Sequence, residues 1–240
     1  MTEFTDSRWS DGSFSKGYRD SADDFIPDRR RLVEITQFLY RYLRNRRTGN
    51  TMLDLGCGDG LFVHELFKDN PDLEATLVDA SDEMLAAARR RLERHAATHF
   101  VKASFQELLA DDPSDETFDF ILSSLAIHHL DPDQKETLFR YVFSHLNPGG
   151  FFLIIDVVRA PTEALEDLYL ALWKEWIMGN CDPSKRTELH TVPLEYKENP
   201  DNRPDSLMFQ LRALDSIGFK DVDCYYKFGI FAIFGGVRDK

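Results

Sequence analysis

The sequence predicts a doubly wound α/β fold, an open and mostly parallel sheet with helices on both faces, and three observations predict it. The apolar run Met52, Leu53 and Leu55 leads directly into the turn Gly56-Cys57-Gly58-Asp59-Gly60 and then into a helix-period stretch from Leu61 to Lys68. A second apolar strand, Glu74 to Asp79, ends in a carboxylate. Short apolar strands and helical stretches then alternate as far as a closing hairpin, the order a parallel sheet requires.

The bulk numbers set the frame for these elements. At 240 residues the chain is long enough for one full α/β core, and a second independent domain is not expected. A formal net charge of -13 argues against a large nucleic-acid footprint, which draws on clustered Lys and Arg. The three cysteines, Cys57, Cys181 and Cys224, show no paired spacing, so neither a disulfide framework nor a metal site is indicated. No apolar run has the length of a secretory leader or a membrane span, and the expected setting is soluble and cytoplasmic.

Residues 1 to 27 form an N-terminal arm ahead of a single domain over 28 to 240. The arm is polar but carries Phe4, Trp9, Phe14, Tyr18 and Phe25, too many rings for a simple disordered tail. It reads either as a segment packing its rings on the domain or as a lid over a ligand, with Tyr18 a weak catalytic candidate. From Asp28, Leu32, Ile35, Phe38, Leu39, Tyr42 and Leu43 fall on one helical stripe. Seven arginines between Arg29 and Arg47 occupy the remainder, a basic helix on an acidic protein. It is a solvated face or a track for an anionic substrate or RNA backbone.

The glycine turn carries most of the chemistry. Its glycines remove Cβ atoms where the chain must turn sharply, so the backbone can approach a bound molecule closely. The dinucleotide version of this turn needs G-x-G-x-x-G, and the third glycine position is here Leu61. The turn is instead G-x-G-x-G flanked by Asp54 and Asp59, a poor setting for phosphates and a good one for an ammonium or sulfonium. Asp79 is placed to accept two hydrogen bonds from a ribose diol.

Ser81 caps the next helix, which carries Met84, Leu85, Ala88 and Leu92 to about His95. Thr98 to Lys102 is the third strand, followed by Ser104 and Phe105. Asp111 to Thr117 is a solvated acidic loop, and Phe118 to Ser124 is the fourth strand. Its loop carries His128-His129, adjacent side chains that diverge and lack an acidic partner at ligand spacing; they are weak candidates for a substrate-facing base, and no metal is expected. Asp131-Pro132-Asp133-Gln134 opens a helix with a cap, a proline and a capping-box glutamine. Asn147 to Gly150 ends it, and Phe151 to Val157 is the fifth strand. A helical insertion over about 158 to 204 follows, with Trp173 and Trp176 as core or substrate wall. Its second part, Cys181 to Pro204, reads as a mobile loop able to close over substrate or mediate a homodimer. Ser206 caps a helix stopped by Gly218, and Val222 to Lys227 pairs with Ile230 to Val237 around Phe228-Gly229.

These residues resemble the class I S-adenosylmethionine-dependent methyltransferases, whose first motif looks like Asp54 to Gly60 and whose second-strand acid looks like Asp79. Phe25-Ile26-Pro27, the stretch Ser123 to Leu130 and the closing hairpin are most similar to the group around the wobble-uridine tRNA carboxymethyltransferase. The resemblance implies a seven-stranded Rossmann-like sheet with an antiparallel last strand, and S-adenosyl-L-methionine as cofactor. It implies that Asp54, Gly56, Cys57 and Gly58 hold the methionine part and Asp79 the ribose. Ala80, Met84, Ser104 and Phe105 then flank the adenine, and Ser124 the amino-acid end. Ser104 stands where many relatives carry Asp. The carboxylated cofactor of that group is held by an arginine in the helix before the hairpin; the matching position is Ala213, beside Arg212, which favours the ordinary cofactor. A small-molecule acceptor is expected, with tRNA modification and non-catalytic cofactor binding as the alternatives.

Overall fold

The computed structural model describes residues 7–45, 49–110 and 116–239; Phe4, Arg46, Arg47 and most of the acidic loop lie outside them. Seven strands form one sheet in the order β3-β2-β1-β4-β5-β7-β6. The strands are β1 (Thr51–Leu55), β2 (Glu74–Asp79), β3 (Thr98–Lys102), β4 (Phe118–Ser124), β5 (Leu146–Val157), β6 (Lys220–Phe228) and β7 (Phe231–Val237). β1 to β5 pair in parallel, while β7 runs antiparallel to both β5 and β6.

Both faces of the sheet are covered, so successive residues of a strand enter opposite cores. Met52, Leu77, Phe120, Leu153 and Ile233 belong to one cluster, and Leu53, Val78, Ile121, Ile154 and Phe234 to the other. The first is sealed by α2 (Arg29–Arg44), α3 (Leu61–Phe67), α4 (Asp82–Arg91) and α7 (Glu163–Asn180), the second by α5 (Phe105–Ala110), α6 (Pro132–His145) and α10 (Leu207–Ile217). Side-chain caps at Ser81, Asp131, Thr162 and Ser206 set the starts of α4, α6, α7 and α10. Asp131 and Gln134 complete a reciprocal capping box with Pro132 in the first turn.

Four readings of the sequence change. The arm holds a 14-residue helix, α1 (Gly12–Phe25), capped by Asp11, whose Phe14, Tyr18, Ala22 and Phe25 recur at helical spacing. α1 packs on α4 and α7, so its rings have a core to join. Cys181 to Pro204 is folded into a 3-10 turn, α8 (Arg186–Leu189) and α9 (Val192–Glu198). Pro193 starts α9 rather than breaking the chain, since the first turn of a helix needs no N–H from it. α4 stops at Arg91, because Leu92 caps it and turns its side chain under Gly60. Residues 147–150 belong to β5, where Leu146 pairs with Phe118 and the Gly149 N–H reaches the Arg238 carbonyl at 2.7 Å.

Candidate active site

The carboxyl ends of β1, β2 and β4 meet at one crevice, the place where a doubly wound sheet opens because neighbouring connections leave in opposite directions. Gly56, Cys57, Gly58, Asp79, Ala80, Met84, Ser104, Phe105 and Ser124 all line it. Gly56 has φ +70, and a Cβ there would lie 2.5 Å from the Ala126 Cβ, so this position admits no other side chain without displacement. Asp79 takes the Gly58 N–H on Oδ2 and the Ser81 N–H on Oδ1, both at 2.8 Å. These bonds fix the carboxylate at the mouth of β2 with lone pairs to spare. Burial nevertheless raises its pKa.

The two acids flanking the glycine turn have separated. Asp59 is held by the Arg91 guanidinium and is neutralised within the chain. Asp54 lies fully buried under the turn, and its Oδ1 has no hydrogen-bond partner. Burial first, then the neighbouring charges of Asp79 and Asp59, pushes its pKa up to about 8. An unsatisfied buried carboxyl among other carboxylates is a costly arrangement for the protein alone, and a cation bound beside it removes the cost.

Ser104 serves first as a helix cap. Its N–H and hydroxyl donate to Glu107 Oε2 at 2.7 and 2.8 Å, and its Oγ accepts the Glu107 N–H at 3.2 Å. One lone pair of the hydroxyl is left for a ligand. The signal was legible as Ser-x-x-Glu before an apolar helix. Leu125, just past β4, has φ +52, a strained backbone for a branched side chain, and borders both this crevice and a second cavity.

The second cavity, about 440 Å³, lies between α1, α7, α8 and α9. It shares Trp9, Tyr18, Ile26, Leu125, His129 and Asp201 with the cofactor crevice. His128 and His129 diverge into different environments. His129 Nε2 accepts from Trp9 Nε1 at 3.0 Å and its Nδ1 donates to the Asp201 carbonyl at 3.1 Å, which assigns a neutral ring. Burial lowers its pKa to about 3. His128 Nδ1 lies 2.6 Å from Asp156 Oδ1, and its backbone N–H donates to Asp156 Oδ2 at 2.8 Å. Asp156, near the end of β5, is the acidic partner that sequence spacing did not offer, 28 residues away. Burial raises the Tyr18 phenol to about 12, so it stays protonated and cannot act as a base near neutrality.

Two residues at the site, Arg19 and Arg203, carried no sequence signal as site residues, and Arg29 of the basic helix joins them there. Arg19, Arg29 and Arg203 line the crevice, the first two also paired with Glu83 and Asp23. Ala213 is buried in the core under α10, Arg212 is exposed, and neither lines the crevice. Among the described residues no cluster of three or more His, Cys, Asp and Glu could hold a metal ion, and no helix is long and apolar enough to cross a membrane.

A family described as "Methyltransferase domain" matches residues 53–152, from β1 into β5. Over that stretch the chain is similar to the class I S-adenosylmethionine-dependent methyltransferases. It is 30% identical over 103 residues to a malonyl-[acyl-carrier protein] O-methyltransferase of Halalkalibacterium halodurans, covering 42% of this chain and 37% of that one. It is 23% identical over 194 residues to a ubiquinone/menaquinone biosynthesis C-methyltransferase of Dinoroseobacter shibae, covering 79% and 74%. A tRNA (carboxymethyluridine(34)-5-O)-methyltransferase of Saccharomyces cerevisiae is 31% identical over 175 residues, covering 69% and 56%. An O-methyltransferase family protein from Burkholderia thailandensis shares the fold, with a TM-score of 0.68 at 15% identity over 98% of this chain and 63% of that one. The chain thus spans between about a third and three quarters of the length of these methyltransferases.

These similarities imply S-adenosyl-L-methionine as cofactor, and the crevice fits it. The Asp79 carboxylate suits a diol and the missing Cβ at Gly56 leaves room for close approach, while the orphaned Asp54 oxygen, beneath the crevice rather than on its wall, would attract an ammonium from below.

Proposed function

We propose that this methyltransferase acts on a small-molecule acceptor held in the cavity beside its cofactor crevice. The observation that carries the reading is the shared wall: a glycine-floored crevice and an aromatic chamber have six lining residues in common, Leu125 among them, so a donor and an acceptor have adjoining seats. Asp54, Gly56, Cys57 and Gly58 would hold the methionine moiety, Asp79 the ribose diol, Ala80, Met84, Ser104 and Phe105 the adenine, and Ser124 the amino-acid end. The bound cofactor supplies an electrophilic methyl group. The chain's own task is to align the acceptor and exclude water, which is where most of the rate enhancement of such a displacement originates.

Residues 7–25 act as a lid in this reading. Trp9 donates to His129 and packs edge-on against Tyr18, so the arm forms one side of both cavities. A non-catalytic cofactor-binding protein would have no use for the second chamber.

The similarity to the yeast enzyme favours a tRNA acceptor as the second reading. The basic helix speaks against it. Arg29, Arg30, Arg31, Arg41 and Arg44 each pair with an Asp or Glu of the chain, leaving their charge largely compensated. Calorimetric titration with S-adenosyl-L-methionine, followed by a methyl-transfer screen of metabolites alongside total tRNA, tests both. Cofactor binding with methyl transfer to a metabolite is expected. Failure to bind the cofactor, or transfer to tRNA alone, overturns the proposal.

A further inference from the structure

The second chamber combines an apolar body with two polar groups that nothing among the described residues satisfies. Trp9, Phe14, Tyr18, Phe25, Trp173 and Phe231 line it, several of them in edge-to-face contact. Such a box accepts a flat ring, which presents its own face and edge to the surrounding quadrupoles. The Tyr196 hydroxyl is buried and has no hydrogen-bond partner. The His128 ring, 6.2 Å from that of Tyr196 between centres, spends Nδ1 on Asp156. Nδ1 therefore carries a proton, and in the neutral ring Nε2 keeps a lone pair with no partner among the described residues.

Buried polar groups left unpaired mark places where a ligand completes the set. Tyr196 can donate one proton, and His128 Nε2 can accept one. An oxygen bearing a hydrogen answers both, since it accepts from the first and donates to the second. Charges stay at the rim, where Asp20, Glu188 and Glu195 are exposed and Arg8 lies 4.4 Å over the Phe14 ring. With Asp201 on the wall shared with the crevice, four carboxylates against one guanidinium repel anionic acceptors.

We propose that the chamber binds an uncharged, flat aromatic compound through a phenolic or enolic hydroxyl, with His128 as the general base. Asp156 is the positioning residue that holds the imidazole tautomer, and Tyr196 anchors the acceptor oxygen. This rests on the methyltransferase reading. The hydroxyl proton passes to His128 Nε2, and the acceptor oxygen forms its new bond to the methyl carbon. The carbon–sulfur bond of the donor breaks with its electron pair left on sulfur, so the sulfonium becomes a neutral thioether. The imidazolium then returns its proton to solvent.

The test begins without cofactor. Titration of the protein with naphthol, followed by tryptophan fluorescence, is expected to show saturable binding that naphthoate matches at least about 10-fold more weakly. Tyr196→Phe weakens naphthol binding about 5-fold, the worth of one hydrogen bond. With cofactor bound, His128→Gln lowers kcat for naphthol by about 100-fold or more, as loss of a general base does, and leaves KM nearly unchanged. A dinitrophenol, ionised before it binds, escapes most of that loss, and Asp156→Asn follows the same pattern. Equal losses for both phenols would make His128 structural and overturn the assignment. Methylation of naphthylamine in place of naphthol, or no naphthol binding to the cofactor-free protein, would overturn the acceptor class. Failure of cofactor binding by calorimetry would strike the methyltransferase reading instead, while the naphthol titration would still judge the chamber.

Discussion

The cofactor crevice and the aromatic chamber are built in opposite ways. The crevice floor comes from 29 consecutive positions, 51 to 79, and its central hydrogen bonds join residues 2 and 21 apart in sequence. The chamber draws its walls from the arm, the end of β5, α7 and α9, joined by contacts such as Trp9 to His129 and Trp173 Nε1 to the Phe25 carbonyl, 120 and 148 residues apart. The crevice carries aspartates and arginines together, with Asp79 fixed by two backbone N–H groups and the glycine turn in the left-handed region. The chamber is a packed aromatic core with two polar groups left open. A local motif can be shared among methyltransferases with different acceptors, whereas a wall assembled from distant elements can change without disturbing it.

The comparison can be broken by substitutions that strike one region alone. Trp173→Ala removes a buried ring that contacts Tyr196 and Phe231 and bonds the Phe25 carbonyl, so about 3–5 kcal/mol of stability is expected to go. Denaturant unfolding measures it, and cofactor affinity measured well below the new midpoint should be unchanged; a parallel loss of affinity would show that the regions are not separable. Asp79→Ala is expected to cost cofactor binding about 3 kcal/mol, on the order of 100-fold, by removing a charged hydrogen-bond acceptor. Calorimetry that returned undiminished affinity would remove Asp79 from the ribose site.

Gly56→Ala sharpens the contrast, since both the φ of +70 and the collision with Ala126 oppose it. It should lower stability by about 1–3 kcal/mol and weaken cofactor binding, while naphthol binding persists. Asp54 supplies a smaller, pH-dependent effect. Its folded pKa of about 8 lies above the ordinary 3.8, so the unfolded chain gives up the proton first as pH rises. Stability therefore falls from about pH 4 to about pH 8, and Asp54→Asn should flatten that slope in thermal melts. Cofactor affinity should move the other way, climbing toward pH 8 as the carboxylate that pairs with an ammonium forms. The smallest effect belongs to the basic helix: Arg41→Ala and Arg44→Ala remove exposed or half-exposed ion pairs and should each cost under about 1 kcal/mol, with methyl transfer unaffected.

Much of the frame was legible because its signals are local. Continuous apolar runs marked the buried strands, and caps at Ser81, Asp131 and Ser206 marked helix starts. Glycines at the β1 turn marked the crevice, and every residue expected near the cofactor except Asp54 lines it. Asp54 lies beneath, buried within β1 one residue before the strand ends. The arm helix was missed because four apolar positions among Ser, Asp and Gly make a weak stripe until α4 and α7 cover it. The short helices after Cys181 were missed because a proline marks a helix start and a chain break alike.

Sequence alone determined the sheet's character, the glycine turn, the acid at the end of β2 and the chemistry of a phosphate-free cationic nucleoside, all of which depend on neighbouring residues and backbone preference. The tertiary structure decided which acid is paired within the chain, since Arg91 takes Asp59 and leaves Asp54 Oδ1 unpaired. It also decided which histidine is open, since Trp9 and Asp201 occupy both nitrogens of His129 while Asp156 takes only one of His128. These outcomes turn on direction and burial, which arise only when distant segments pack, and residue order carries no measure of either.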